Sequence, residues 1–269
     1  MSANIYRHEF RARLRSVAIW SLSVAGIVLF YFSIFPAFAD QAALMNQLLA
    51  KFPPVLLEAF GLGKVDLSTV VGFYGFVFVF IQLCLAIQAG NYGFGLVSIE
   101  ENEMTADFLL TKPVNRLQVL TSKLLGALTS LLLTDLVVWV ASFVAIALFN
   151  GGREYDTATL VLLMFSIVIF QLFFLGVGLL ISLLVKRVRS VTPYSLGLVF
   201  GAYVLSAFSG LFGEVKLEYI TPFKHLDPMY LVQHGTPDTR LVLLNVAITV
   251  VSLAVSYWLY TRRDIPAVS

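Results

Sequence analysis

A single cysteine, Cys84, occurs in the 269 residues, so no intrachain disulfide can form and the usual thiolate metal sites are excluded. Histidine is scarce as well. His8, His225 and His234 lie outside the long apolar runs, and no helical pair of histidines exists to hold a metal within them. Charged residues make up 13% of the chain, about half the share of an ordinary soluble domain. The net charge of +2 leaves no electrostatic footprint for nucleic acid. A GxxxxGK(S/T) phosphate loop is missing, and Gly61-Leu62-Gly63-Lys64 is not one. No polar stretch approaches the ~100 residues of a soluble domain. Any function that needs a catalytic domain must therefore draw it from another chain.

What the chain has instead is apolar length. Hydrophobic residues form 59% of it, too large an excess for one globular core, which implies an integral membrane protein. Six stretches are long enough to cross a bilayer: residues 17–38, 69–97, 124–149, 160–185, 192–212 and 241–260. Backbone polar groups in hydrocarbon need internal partners, so each stretch is expected to be helical. The runs show no polar/apolar alternation, which rules out a β-barrel. The expected class is all-α integral membrane, one six-span domain with no soluble domain.

Lys and Arg set the orientation. Twelve fall on one side, in the leader (Arg7, Arg11, Arg13, Arg15) and in the segments after the second, fourth and sixth spans. Six fall on the other: Lys51, Lys64, Arg153, Lys216, Lys224 and Arg240. This predicts a multi-pass protein of the cell membrane with both termini in the cytoplasm. The basic leader, apolar run and Ala37-Phe38-Ala39 together resemble a signal peptide, but the run from Val17 to Phe35 is longer than a signal core.

Four segments between spans carry patterns of their own. In residues 1–16, Tyr6, Phe10, Leu14 and Val17 form an apolar stripe beside Arg7, Arg11 and Arg15. This fits an amphipathic helix on the cytoplasmic membrane surface or, more plainly, a positive-inside flank. Residues 40–63 place Leu44, Leu48 and Phe52 at helical spacing before Pro53-Pro54, and fit two short helices on the outer face. In residues 98–123, Glu100, Glu101, Glu103 and Asp107 precede a helix stop at Thr111-Lys112-Pro113, with negative charge favouring a helix start. Met104, Phe108 and Leu109 give that short helix an apolar face in need of a cover. Anionic lipid would repel the acids, so a protein partner is favoured over membrane lipid. Residues 214–240, with Pro222, Pro228 and Pro237, read as a structured outer loop that dips toward the leaflet.

Polar residues inside the spans are few. Asp135 sits near the middle of the third span, where a charge costs ~3 kcal/mol. Two roles fit it: substrate passage or proton coupling, and the favoured one, a protonated or hydrogen-bonded acid that ties helices together. Gln82, Gln88, Asn91 and Gln171 are its candidate partners, and the first three with Tyr92 are also candidates to line a substrate path. Gly90, Gly93 and Gly95 permit close helix approach or local unwinding. Gly197 and Gly201 make a GxxxG pair that suits either packing within the chain or subunit association.

The segment beginning at Glu103, "EMTADFLLTKPVNRLQVLTSKLL", resembles the cytoplasmic segment between the second and third spans of type-2 ATP-binding-cassette (ABC-2) permeases. The matching residues are Glu103, Thr105, Leu109-Leu110, Pro113, Arg116 and Lys123-Leu124-Leu125, with Met104 standing where the family usually has glycine. "FPPVLLEAFGLG" and "TPFKHLDPMYLVQHG" resemble the family's outer segments. The resemblance implies a permease half that pairs with a second half, homo- or heterodimeric, and with two copies of a cytoplasmic ATP-binding subunit. It implies a surface elbow helix at residues 1–16 and a coupling helix at residues 101–111. The ATPase-contacting positions would be Glu101, Glu103, Met104, Thr105, Asp107, Phe108, Leu109, Leu110, Pro113 and Arg116. ATP and Mg would belong to the partner, and this chain would be an exporter subunit with no enzymatic activity of its own. Three other classes compete: a membrane-embedded enzyme, a channel or secondary transporter, and a sensor subunit of an ABC complex.

Overall fold

The computed structural model describes residues 2–49, 51–53, 57, 65–103, 115–185, 188–209 and 217–262. Among these residues there is no strand. Six helices are long and apolar enough to cross a membrane. They are α1 (Ala3–Asp40), α3 (Val70–Glu103), α4 (Arg116–Phe149), α5 (Thr157–Leu184), α6 (Val191–Phe208) and α9 (Thr239–Arg262), with short α2 (Ala42–Leu49), α7 (Pro222–His225) and α8 (Pro228–His234) between them.

Helix α3 is the axis of the bundle. It packs on α5 along its length and also on α1, α4, α6 and α8. The other long seams join α1 to α4 and α9 to α5. The inner faces are not the greasiest ones. The buried residues of α9 are Asn245, Thr249, Ser252 and Ser256. Those of α4 include Ser122, Ser130, Thr134 and Ser142. Lipid offers no hydrophobic drive between helices, so small and weakly polar residues that allow close approach line the seams. Their hydroxyls do not go unpaired: Ser130, Thr134 and Ser142 each donate to the carbonyl one turn earlier at 2.8–3.1 Å. Larger side chains fill the far end, where Phe32, Phe35, Phe73 and Tyr74 are fully buried and in mutual ring contact.

Two expectations about helix boundaries are corrected. Residues 1–16 do not form a separate surface element. They are the first turns of a continuous 38-residue α1, ~57 Å long at 1.5 Å per residue. No glycine or proline lies between the leader and Val17 to break the helix, and the leader finds its own seam along α4. The Ser2 amide donates to Ser122 Oγ at 2.8 Å, and Tyr6 Oη to Thr129 Oγ1 at 3.2 Å. Arg7, Arg11 and Arg15 point outward. The second correction concerns the acids. Helix α3 runs on to Glu103, so Glu101 and Glu103 stand in the last turn of a long helix and not at the start of a new one. Helix α4 begins cleanly at a capping box, in which Asn115 accepts from the Leu117 amide at 3.2 Å and Gln118 returns to the Asn115 amide.

The segment between α6 and α9 folds back into the bundle. Thr221 Oγ1 donates to the Ala202 carbonyl at 2.7 Å, and Phe223 is buried among Phe170, Phe174 and Tyr203. Gln82 Nε2 donates to the Leu226 carbonyl at 2.8 Å. Gln82 lies twelve residues into α3, so the segment reaches ~18 Å below the start of that helix. Irregular backbone at such depth is tolerable only when protein covers it and supplies partners.

Candidate functional site

The intramembrane polar residues form one chain of contacts across three helices. Tyr92 Oη donates to Ser16 Oγ at 3.1 Å, and Gln88 Nε2 donates to Tyr92 Oη at 3.2 Å and to Thr134 Oγ1 at 2.9 Å. The next residue, Asp135, is 1% exposed and lies beside Gln171 of α5. Neither carboxyl oxygen makes a hydrogen bond of good geometry, and Gln171 Nε2 is likewise unpaired. Gln88 Oε1, Asn91 Oδ1 and Trp139 Nε1 are also buried without partners. Unpaired buried polar groups are costly, so this cluster is under-satisfied for a purely structural device.

Gln82 belongs elsewhere. The sequence groups it with Gln88 and Asn91, but the structure commits it to the re-entrant segment. Gly90 and Gly93 serve close approach, and α3 is not unwound there. A Cβ at Gly93 would collide with the Leu175 carbonyl oxygen, and one at Gly90 would lie 2.5 Å from Ser195 Oγ. Gly178 of α5 completes the crossing at the Gly90 carbonyl. By contrast, Gly197 and Gly201 meet nothing within 4 Å, so the GxxxG pair is not used in packing within this chain.

At the end that carries both described chain ends, a buried lysine joins α3 to α4. Lys123 is 3% exposed, and its Nζ donates to the Leu96 carbonyl at 2.6 Å. Arg13 of α1 pairs with Glu9 at 2.6 Å and lies 5.7 Å from the Tyr92 ring centroid. Thr121 of α4 meets Tyr257 of α9 at 3.0 Å. Of the predicted coupling positions, Arg116 is half-buried in the first turn of α4. Glu101 and Glu103 have a helical backbone but their side chains are outside the described residues, as are Met104, Thr105, Asp107, Phe108, Leu109, Leu110 and Pro113.

A family model for "ABC-2 family transporter protein" matches residues 3–265. The chain belongs to the ABC-2 transporter family. It is accordingly a multi-pass membrane permease subunit of an ABC transporter, a transport subunit and not the catalytic one. Permeases of this family generally work with a cytoplasmic ATP-binding subunit, where ATP and Mg belong. A search of curated proteins finds no match. Among the described residues of this ABC-2 permease, no three His, Cys, Asp or Glu side chains come together as a metal site requires.

Sequence reasoning missed two elements of the permease. Lys123 reads as one more positive-inside charge, and only its place six residues before a run of inward-facing Ser130, Thr134 and Asp135 hints that it turns inward. Ser16 and Thr134, which tie the polar chain to α1 and α4, carry no signal as isolated residues in a sequence.

Proposed function

We propose that this permease exports a hydrophobic or amphiphilic substrate, driven by ATP hydrolysis on a separate cytoplasmic subunit that grips the segment between α3 and α4. The observation that carries the reading is the lever around that segment. Helices α3 and α4 are each 34 residues long, well beyond the ~20 that a bilayer needs. Lys123 binds them together across the base of the segment. A partner that moves residues 104–114 would thus move two spans as one body. It would carry the displacement to the Gln88–Asp135–Gln171 cluster, a two-state element biased from a distant site. Both termini would then be cytoplasmic. The open α6 face at Gly197 and Gly201 supports pairing with a second permease half there.

The substrate would meet few charges. The interior offers amides, hydroxyls and one carboxyl among aromatic and aliphatic side chains, a lining that suits a drug, a lipid or an antimicrobial peptide better than a small ion. The test is reversal of Glu103 and Asp107 to lysine together. Co-purification of the ATP-binding subunit should weaken while the spans keep their thermal midpoint; undiminished co-purification would count against the docking assignment. Substrate-stimulated ATP hydrolysis in the reconstituted complex separates transport from a sensor role.

A further inference from the structure

At the end of the bundle opposite the chain termini, the re-entrant segment leaves a cavity of about 220 Å³ that the proposed mechanism does not use. Its polar wall is Glu218, Lys224, His225, Asp227, Tyr230 and Asp238; leucines and a proline complete it. Three carboxylates against one ammonium give the cavity a net negative field. Two of the carboxylates are fixed by backbone. Asp227 Oδ1 accepts from the Met229 amide at 2.9 Å, and Asp238 Oδ1 from the Arg240 amide at 3.0 Å. Lys224 Nζ is 3.9 Å from Asp227 Oδ2, so the one cation is already engaged. Glu218 has no ion pair among the described residues.

A second observation is independent of the acids. His225 is 2% exposed, lines the cavity, and its Nε2 has no hydrogen-bond partner. On its other side, Nδ1 is 3.4 Å from Asn245 Nδ2, and Asn245 Oδ1 is unpaired too. Turning the Asn245 amide over lets its oxygen accept from Nδ1–H. Nε2 is then a bare acceptor near the carbonyls of Tyr219 and Glu218. Burial pushes the imidazole below its ordinary range, against the pull of those carbonyls, so it adds no positive charge at neutral pH. A wall of carboxylates, carbonyls and an imidazole nitrogen, with the Tyr230 ring and apolar flanks, complements a donor-only cation on an apolar body.

The geometry points to a binding site for a primary ammonium carried on an apolar body, held by Glu218, Asp238 and His225. The site needs no ATP-binding subunit, so it stands or falls apart from the transport reading. The test uses the full chain in nanodiscs of phosphatidylcholine, with dansylcadaverine as the fluorescent ammonium probe and its N-acetylated form as the neutral control. Saturable anisotropy is expected for the amine alone. The double variant Glu218→Gln, Asp238→Asn keeps side-chain shape and the α9 cap; it should weaken binding at least tenfold with an unchanged thermal midpoint. Lys224→Met should tighten binding several-fold. Equal binding of the acetylated probe, absence of saturable binding, or undiminished affinity in the double variant would overturn the site. Phosphatidylethanolamine presents the same ammonium. Displacement of the probe when that lipid is added to the discs assigns the site to a headgroup; no displacement assigns it to a free amine.

Discussion

Helices α3 and α6 look alike as text: each is an apolar span with glycines at short spacing. In the fold they have opposite roles. In the membrane-spanning window of α3, 72% of residues are buried inside the chain, against 17% for α6. The glycines of α3 sit where neighbouring backbones would collide with a side chain, whereas Gly197 and Gly201 of α6 face open space. A small-residue motif therefore specifies a surface that backbone can approach, and it does not say whose backbone comes. Helix α3 spends this capacity within the chain. On the proposed reading, α6 keeps it for a second permease half.

The contrast is broken most directly at Gly93. Any side chain there meets the Leu175 backbone carbonyl, which cannot turn aside as a flexible side chain could. Gly93→Leu should cost ~3 kcal/mol or more of overpacking strain and drive α3 from α5. The expected readout is loss of the monodisperse peak in detergent size exclusion; a well-behaved variant would show that the α3–α5 crossing is looser than it looks.

Gln82 comes next. Its amide holds the Leu226 carbonyl deep in the bundle. Gln82→Leu should leave that carbonyl unpaired at a cost of ~1–3 kcal/mol. Protease sensitivity should rise in residues 217–234 while α3 stays intact. Uniform destabilisation, with no local gain in cleavage, would mean the re-entrant segment is not a separable unit.

A smaller effect is expected from His225, on the same segment. Burial lowers its affinity for protons in the fold relative to the unfolded chain. Between its depressed folded value and the ordinary value near 6.5, the unfolded state holds more protons, so stability falls as pH falls through that window. The thermal midpoint of the wild-type chain should therefore drop more between pH 7.5 and 5 than that of His225→Asn. Parallel curves would show that the imidazole is not desolvated.

How much of this could be read in the sequence follows from how local each signal is. The six spans were legible because length and apolarity decide them, residue by residue. Asp135 was legible because one acid in a greasy run is conspicuous, and Gln171 was rightly named beside it. The continuous α1 was not: an amphipathic stripe on residues 1–16 suits a lipid surface or the flank of α4 equally, and only α4, more than a hundred residues away, settles which. The role of Gln82 depended on a loop 144 residues later, and that of Lys123 on a carbonyl 27 residues earlier. Such pairings have no periodicity to reveal them.

The smallest expected effect on the isolated chain is also the sharpest test of the contrast. Gly197→Leu with Gly201→Leu places two large side chains where nothing lies within 4 Å. The monomer should keep its thermal midpoint, since substitutions that meet no neighbour fall within about 0.5 kcal/mol. Association should not survive so well: two leucines hold a second helix several ångströms off, and the close contact on which small-residue crossings depend is lost. Cysteine cross-linking along α6 in native membranes, compared between wild type and the double variant, separates the cases. Cross-links lost at constant monomer stability put the partner on α6. Cross-links retained would move the interface to another face of the bundle and leave these glycines with lipid as their neighbour.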